Sequence, residues 1–470
     1  MTQIDLCGKN VFFIGIGGSS MSGLALLLKN EGFAVSGSDT QRSVKVEHLI
    51  ENGIDVKIGH NAENIKQSGA EVVVYTAAIH DENPELSYAR EHGICCLKRS
   101  ELVGKIMRCY KNAVGISGTK GKTTTTALLS TVLIECGYDP SALIGGTSKN
   151  IGSNVRIGGG DVIVAEACEY QDSFLDFRPT VAVILNVELE HTDYFRSMEQ
   201  LKASFRSFAL ETPQNGMVIG CADCGVTSEI LGSVSRPKLT YGINENADFT
   251  ARNIQEDGKG TLSFDVYFKG EYKVGVKNVP LCGRHNVYNV LAVFAVAYYF
   301  GIPFEDTAAA LVKYKGTGRR FDYYGSVNGA SVYDDYAHTP DEYRAVISAA
   351  KSLEHNRLIC IFQPHTYSRS IDFFDETVEA FKDCDEIIML DIDAAREKDE
   401  GKIHSRDFAR AMCEKGMNAS YMPDYTGVAD YIEKNAVKND IILVIGAGHS
   451  NVLCEMIAKR GVVTDKPHGD

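Results

Sequence analysis

Short apolar runs alternate with helix-like stretches along almost the whole chain of 470 residues. Runs such as 11–15 and 72–75 have the length of strands, whereas 21–29 repeats apolar residues at helical spacing. Such alternation is typical of βαβ units with parallel sheets, so the pattern predicts an α/β protein. The other predicted strands are 34–38, 114–116, 162–165, 181–185, 358–362, 387–390 and 441–445.

One section departs from this alternation. Residues 247–279 hold strand-like runs broken by Asp257-Gly258 and Lys269-Gly270, which predicts an antiparallel insert. Polar and basic residues precede a new strand near residue 108, and a Gly-Thr-Gly stretch ends near residue 320. We therefore predict three domains, 1–108, 109–320 and 321–470.

The segment 115–126 reads as a phosphate-binding loop. An apolar run leads into a glycine-rich turn, then Lys122, then threonines that open a helical pattern. Backbone N–H groups and a helix N-terminus can surround a polyphosphate, with Lys122 on the outer oxygens and Thr123 within reach of Mg²⁺. Ile116 stands where the strict pattern has glycine, so the loop is a variant, and a merely threonine-rich helix start is the alternative. The predicted ligands are Gly118, Thr119, Lys120, Gly121, Lys122, Thr123 and Thr124.

A second glycine loop opens the chain. A strand at 11–15 leads into a glycine turn and a helix start, and Asp39 follows the next strand, where a ribose-contacting acid is expected. Alone, this pattern fits a nicotinamide-dependent dehydrogenase as well as it fits a nucleotide-diphosphate binder. Two separate loops predict two phosphorylated ligands, one of them ATP. The predicted contacts of the first loop are Gly15, Gly17, Gly18, Ser19, Ser20 and Met21.

Acidic residues and a histidine follow two strands of the middle section. Glu166 and Glu169 come after one apolar run, and Glu190-His191 comes shortly after the next. Strand ends face the ligand crevice of an open α/β sheet, and carboxylates suit Mg²⁺. We predict Thr123, Glu166 and His191 as metal ligands, although any single one could be an ordinary exposed loop residue.

Composition restricts the possible partners. A formal net charge of −14 argues against a nucleic-acid-binding surface, and the longest apolar run, 290–302, is too short to cross a bilayer. The first residues lack the pattern of a signal peptide, and thirteen scattered cysteines suit a reducing cytoplasm better than a disulfide scaffold. The single Cys221-x-x-Cys224 lacks a second pair for zinc. A cytoplasmic protein is therefore expected.

Several further motifs, taken in order, give the chain a family resemblance. With the two glycine loops, they make the sequence similar to the Mur ligases from about residue 11 to near the C-terminus, and the first loop resembles the alanine-adding branch. The motifs are 15–23, 118–124, 166–169, 283–289, 319–321, 333–340, 362–369, 394–398 and 446–448.

The resemblance implies three α/β domains and assigns a role to each. A Rossmann-like N-terminal domain would bind UDP-N-acetylmuramate, and a central P-loop-type domain with an antiparallel β insert would bind ATP and Mg²⁺. A Rossmann-like C-terminal α/β domain would bind the amino acid. His285, Asn286 and Asn289 would lie near the adenine, and Arg320 and Asp335 would reach the nucleotide. The residues implied in catalysis are Lys122, His191, Arg320, Asp335, His338, His365 and Arg369.

The implied reaction is ATP-dependent amide formation between L-alanine and the lactyl carboxylate of UDP-N-acetylmuramate, through an acyl phosphate, in peptidoglycan synthesis. A recycling ligase that joins a tripeptide to the same sugar nucleotide, a dehydrogenase, and a nucleotide-hydrolysing switch remain as alternatives. The oligomeric state is left open. Three positions depart from the family pattern: Glu190 replaces an aspartate, Thr366 replaces a common arginine, and Arg206 stands near the place of a carbamate-forming lysine in later ligases.

Overall fold

The computed structural model describes residues 4–76, 78–191, 194–244, 246–395 and 397–461. The chain forms two compact units. The first contains residues 1–253, 264–276 and 288–315, and the second contains 254–263, 277–287 and 316–470. Among the described helices, none combines the length and apolar character needed to span a membrane.

The first sheet has five strands in the order β3-β2-β1-β4-β5, and all four strand pairings are parallel. Each strand is followed by a helix, as the alternation of the sequence predicted. Its elements are β1 Asn10–Ile14, α1 Ser19–Asn30, β2 Ala34–Asp39, α2 Val44–Glu51, β3 Asp55–Ile58, α3 Ala62–Ser68, β4 Val72–Tyr75, α4 Pro84–Glu91, β5 Cys95–Lys98 and α5 Arg99–Met107.

The second sheet has ten strands in the order β15-β14-β13-β12-β11-β10-β6-β9-β7-β8. Strands β6, β9, β10 and β11 are parallel, whereas β7 and β8 form an antiparallel pair. Its elements are β6 Asn112–Ser117, α6 Lys122–Glu135, β7 Ser141–Ser148, β8 Ser153–Arg156, β9 Val162–Glu166, β10 Val181–Ile184, α7 Met198–Glu211, β11 Met217–Cys221, α8 Gly225–Ser233, β12 Lys238–Gly242, β13 Phe249–Glu256, β14 Leu262–Phe268, β15 Glu271–Val279, α9 His285–Tyr299 and α10 Phe304–Leu311.

The insert predicted at 247–279 is present as β13, β14 and β15. The breaks between these strands coincide with the two predicted turns. Such short turns join antiparallel neighbours, since a parallel connection needs a long crossover. The insert is continuous with the central sheet, because Tyr241 of β12 pairs with Phe249 of β13. The division between the two units passes through β13, β14, β15 and α9.

The third sheet lies in the second unit and has the order β16-β17-β21-β18-β19-β20. Its strand pairings are parallel except that of β16 with β17, which is antiparallel. Its elements are β16 Asp322–Val327, β17 Ala330–Asp335, α11 Pro340–Lys351, β18 Leu358–Phe362, α12 Tyr367–Asp372, α13 Phe374–Ala380, β19 Glu386–Met389, α14 Ser405–Glu414, β20 Ala419–Tyr421, α15 Tyr425–Asn435, β21 Ile441–Ile445 and α16 Asn451–Arg460.

The first two sheets share one hydrophobic core within the first unit. It joins Phe13 and Leu24 of the first sheet and its helix to Ile163 and Phe205 of the second. Gly23 makes the close approach possible, because a Cβ there would lie 2.0 Å from Val155 Cγ2. The third sheet has apolar clusters on both of its faces, as a parallel sheet covered by helices requires.

The cysteines differ in one respect from the expectation. Cys7 and Cys95 form a disulfide across 88 positions of sequence, whereas the remaining eleven cysteines are free. The spacing of the cysteines could not indicate this pair, because it depends on the segment before β1 lying beside β5.

Candidate functional site

Three parallel strands bring the predicted phosphate loop and the predicted metal ligands to one sheet edge. In register, Ile116 of β6 pairs with Glu166 of β9 and with Val183 of β10. The segments that follow these strands therefore begin side by side, as expected for a ligand crevice at the carboxyl ends of parallel strands. The predicted phosphate loop and the side chains of Glu169, Glu190 and His191 lie in these segments.

The loop 118–121 is held open by backbone geometry and by Asn186. Gly118 and Gly121 have φ values of +135° and +85°, which only glycine adopts without strain. The Asn186 side chain accepts from the Lys120 N–H at 2.8 Å and donates to the Lys120 carbonyl at 3.0 Å. The Thr119 hydroxyl is likewise tied to the backbone of Glu188. These bonds hold the loop in place before any ligand binds.

Lys122 begins α6 and is held by the loop and by a buried acid. Its ammonium donates to the carbonyls of Gly118 and Thr119 and pairs with Glu169 at 3.0 Å. The Glu169 side chain is only 1% exposed. Although burial alone would lower the pKa of Lys122, the negative charge of Glu169 raises it above its usual value. Lys122 is therefore a permanent cation at the mouth of the loop.

Glu169, Glu190 and His191 form a candidate metal site. One ligand atom from each lies within 4.8 Å of the other two, and His191 Nε2 is 3.7 Å from a Glu169 oxygen. Two carboxylates and an imidazole are donors that a divalent cation accepts. The donor set therefore fits a divalent cation, and its two carboxylates are ligands of the kind that Mg²⁺ prefers.

The other residues that are predicted to bind ATP lie in α6 and α9. Thr123 is buried and Thr124 half-buried in the first turn of α6. Asn289 is buried and lies against the loop, since a Cβ at Gly121 would be 2.5 Å from its Oδ1. His285 and Asn286 lie in the second unit, where Asn286 Nδ2 donates to the Cys282 carbonyl. Their contact with an adenine stays a prediction.

The first glycine loop joins β1 to α1. The N–H groups of Gly15 and Ile16 donate to the Ser38 carbonyl, and the Gly17 N–H donates to Asp39 Oδ2 at 2.8 Å. Asp39 therefore shapes the loop, in addition to any contact with a ribose. Gly18 precedes α1, and Asn154 of β8 donates to the Ser19 carbonyl, which ties this helix start to the second sheet.

A cavity of about 350 Å³ extends from the start of α1 to the end of β9. Glu166 lies at the β9 end, where its side chain accepts from the Gly145 N–H at 2.7 Å. The structure thus places Glu166 on this cavity, while His191 is grouped with Glu169. Several predicted residues of the first loop line it, namely Gly18, Ser19, Ser20 and Met21.

In the second unit, Arg319 organises the loops around the third sheet. Its guanidinium donates to Asp334 Oδ2 at 2.9 Å and to the backbone carbonyls of Gly446 and Gly448. Burial raises the pKa of Asp334 to about 6, against the opposing effect of the Arg319 charge. Asp335, one residue further, accepts the N–H groups of Phe321 and Ala337. Burial also raises the pKa of Asp335, which the nearby Arg320 opposes.

His338, His365 and Arg369 lie close together in the second unit. All three line a small cavity of about 10 Å³, beside Tyr343 and Phe362. Burial and the Arg369 cation lower the pKa of His365. A neutral ring can accept from Arg369, whose Nη1 lies 3.1 Å from His365 Nδ1. The group offers a fixed cation and a neutral imidazole to a small polar ligand.

Two of the unusual positions have structural partners. Thr366 has a left-handed φ of +66°, and its hydroxyl accepts from the Arg369 N–H at the start of α12. Arg206 donates to the Ser233 hydroxyl. Arg396, in the motif 394–398, lies outside the described residues.

Sequence reasoning named two residues of these motifs without giving them a role. Glu169 was one of two glutamates in its motif, and only Glu166 was chosen as a ligand. Arg319 precedes the chosen Arg320. In both cases the distinction depends on tertiary contacts, with Lys122 for Glu169 and with Asp334 for Arg319.

Family models match most of the chain. They are the catalytic domain of the Mur ligase family at 10–111, the Mur ligase middle domain at 116–297, and the glutamate ligase domain of Mur ligases at 319–448. The chain belongs to the Mur ligase family, and its three-domain α/β architecture is that of the family. The boundaries near 108 and 320 remain predictions.

Individual relatives are similar over nearly the full length. UDP-N-acetylmuramate–L-alanine ligase of Caldanaerobacter subterraneus is 45% identical over 94% of this chain and 95% of its own. The enzyme of the same name from Acetivibrio thermocellus is 45% identical over 96% of each chain. The crystal structure of UDP-N-acetylmuramate-alanine ligase from Thermotoga maritima superposes with a TM-score of 0.81 at 26% identity, covering 96% of this chain and 98% of that one.

Proposed function

We propose that this protein is a cytoplasmic ATP-dependent ligase that joins L-alanine to the lactyl carboxylate of UDP-N-acetylmuramate in peptidoglycan precursor synthesis. The observation that carries the proposal is the presence of both glycine loops in one unit. A cavity runs from the first loop to Glu166, whose register partner Ile116 lies just before the second loop. Relatives that bear this activity in their names support it. A dehydrogenase would leave the second loop and its lysine without a role.

The first half-reaction would be activation of the carboxylate. A lactyl oxygen attacks the γ-phosphorus of ATP, and the bond from that phosphorus to the β–γ bridging oxygen breaks. ADP departs, and the carboxylate has become an acyl phosphate. Two anions must approach each other in this step, so neighbouring positive charge is needed. Lys122 supplies a permanent cation, and the N–H groups of the loop and of α6 point their dipoles at the phosphates.

The candidate metal site would complete this charge. Glu169, Glu190 and His191 would hold one Mg²⁺. Thr123 and Glu166 would be ligands of another Mg²⁺, as the family resemblance implies. The cation would supply further neutralisation of the phosphate oxygens when bound. With the metal present, Glu169 would share its charge between the cation and Lys122.

The second half-reaction would be amide formation. The neutral amine of alanine attacks the acyl carbon, phosphate leaves, and one proton is released. His338, His365 and Arg369 are the residues that we assign to the amino acid, with Arg369 for its carboxylate. The predicted contacts of Arg320 and Asp335 with the nucleotide belong to the same proposal.

The test is phosphate release by the purified protein with ATP and Mg²⁺. Release that requires both UDP-N-acetylmuramate and L-alanine would support the proposal. Release without either substrate would indicate a nucleotide-hydrolysing switch, and release that requires a tripeptide in place of alanine would indicate a recycling ligase. Both of these outcomes would overturn it.

A further inference from the structure

Arg99 is a cation on the wall of the 350 Å³ cavity for which the reaction scheme has no role. It is the first residue of α5 and lies half-buried beside apolar walls that include Val103 and Phe177. In the part of the chain that the structure describes, its guanidinium makes no hydrogen bond or ion pair with protein. Five N–H donors therefore remain free for a ligand.

The position of Arg99 costs free energy unless an anion joins it. Burial lowers the pKa of Arg99, and the negative potentials of Cys168 and Glu166 only partly oppose this effect. Glu166 is near enough to act on Arg99 but already accepts the Gly145 N–H. A buried charge without a close partner is unfavourable, so an anionic ligand in the cavity would offset the cost.

The sugar nucleotide would bring two kinds of anion into this cavity, a diphosphate and a lactyl carboxylate. The start of α1 is the predicted binding site of the diphosphate, and Lys45 there donates to the Ser19 hydroxyl at 2.5 Å. Arg99 instead lies within the electrostatic reach of Glu166, at the end of β9 beside the ATP-type loop. That is where the carboxylate must be to react, and a guanidinium binds a carboxylate through two parallel hydrogen bonds.

We propose that Arg99 binds the lactyl carboxylate of the sugar nucleotide and orients it toward the ATP loop. The inference rests on the proposed function, since it presumes that substrate. It adds a specificity contact, because a UDP-sugar without the lactyl group would leave Arg99 unpaired. The enzyme would then select its sugar nucleotide partly through the group that reacts.

Calorimetric titration of two ligands tests this assignment. UDP-N-acetylmuramate and UDP-N-acetylglucosamine, which lacks the lactyl group, are titrated into the wild type and Arg99→Gln. We expect the variant to bind the first ligand about 10- to 100-fold more weakly, the range for a lost charged hydrogen bond, and the second with unchanged affinity. Arg99→Lys keeps the positive charge but cannot form two parallel hydrogen bonds. Its affinity for UDP-N-acetylmuramate should therefore lie between those of the wild type and Arg99→Gln.

Control variants distinguish loss of the Arg99 contact from misfolding and from failure of the proposed function. Arg90→Gln removes an arginine that pairs with Asp81 on the same sheet layer and should leave both affinities unchanged. Binding of a non-hydrolysable ATP analogue reports on folding of each variant, and Arg99→Lys replaces Arg99→Gln if the latter does not fold. Equal losses for both sugar nucleotides would assign Arg99 to the diphosphate and overturn the inference, as would no loss for either. If the wild type itself does not bind UDP-N-acetylmuramate, the proposed function fails as well.

Discussion

Lys122 and Glu169 form a buried contact at the predicted phosphate loop. The lysine is one residue past the glycine loop, and the glutamate follows a different strand. Lys122 Nζ nevertheless lies 3.0 Å from a Glu169 oxygen, and both side chains are largely buried. Each partner satisfies a charge that would otherwise be buried alone, which is the condition under which a buried ion pair is tolerated. The same glutamate is also within reach of His191. One carboxylate thus links the lysine of the predicted phosphate loop to the candidate metal site.

Glu169→Gln should separate these two roles. The substitution removes a metal-ligand charge and leaves Lys122 without its buried partner, so we expect kcat to fall about 100-fold and the protein to lose about 3 kcal/mol of stability. The decisive readout is the Mg²⁺ concentration that gives half-maximal activity, which should rise. Glu211→Gln is the matched control, because Glu211 forms an exposed pair with Arg178 and lies outside the cluster. An unchanged Mg²⁺ requirement in Glu169→Gln would contradict the ligand role.

Asp334 predicts a pH dependence of stability in the second unit. Its pKa of about 6 in the folded chain lies above the usual 3.8, because burial outweighs the charge of Arg319. Between these values the folded state retains a proton that the unfolded state has released. The stability linked to this group is therefore full below pH 4 and is lost as the pH rises through 6.

Asp334→Asn should remove the contribution of this carboxyl to the slope of stability against pH. Urea unfolding midpoints measured from pH 4 to pH 7 should decline less steeply in the variant than in the wild type, whatever the absolute loss from the broken Arg319 contact. Asp341→Asn, at an exposed acid paired with Arg344, should keep the wild-type slope. Identical slopes for Asp334→Asn and the wild type would show that the carboxyl is ionised throughout this range.

At the scale of the element, the phosphate loop is a strand, a turn and a helix whose geometry depends on glycine. Gly121 has a φ of +85°, and a Cβ there would lie 2.5 Å from Asn289 Oδ1. Gly137, just past the other end of α6, has a similar φ of +79° but open space around it. The two positions therefore share the backbone strain of a substitution but differ in what the new methyl group meets.

This pair gives a controlled prediction. Alanine at either position costs about 1 kcal/mol for the left-handed backbone, so both variants should unfold at slightly lower temperature. Only Gly121→Ala displaces Asn289 and the loop, and we expect it to weaken binding of an ATP analogue at least about tenfold, while Gly137→Ala binds normally. Equal affinities in the two variants would mean that the loop adapts without cost.

The elements themselves could be read from the sequence to a large extent. The predicted strands at 72–75, 358–362 and 441–445 match the observed bounds, because continuous apolar runs between turns have few other ways to be buried. The turns of the insert were equally clear from their glycines. The details of the site were less accessible. The Glu169 contact with Lys122 spans 47 positions and the Cys7–Cys95 bond spans 88, and such contacts depend on topology, which local pattern does not encode.

For the whole molecule, each sheet presents its functional loops at the carboxyl ends of its strands. In the third sheet, Asp335, Phe362 and Ile445 lie in register, so the segments with His338 and His365 start together. In the first unit, the two glycine loops begin α1 and α6 on two different sheets. This arrangement supports the proposal that the chain has separate binding sites for two phosphorylated compounds.

The claim that two unlike nucleotides bind at once is tested most directly by calorimetric titration of UDP-N-acetylmuramate in the presence and absence of a saturating, non-hydrolysable ATP analogue. The wild type should bind one sugar nucleotide per chain under both conditions. Lys122→Ala should lose turnover and analogue binding but still bind the sugar nucleotide, whereas Lys382→Ala, at an exposed pair with Glu379, should behave as the wild type. If the analogue instead abolishes sugar-nucleotide binding in proportion to its own occupancy, or if Lys122→Ala loses both ligands together, the two loops do not form separate sites and the account is contradicted.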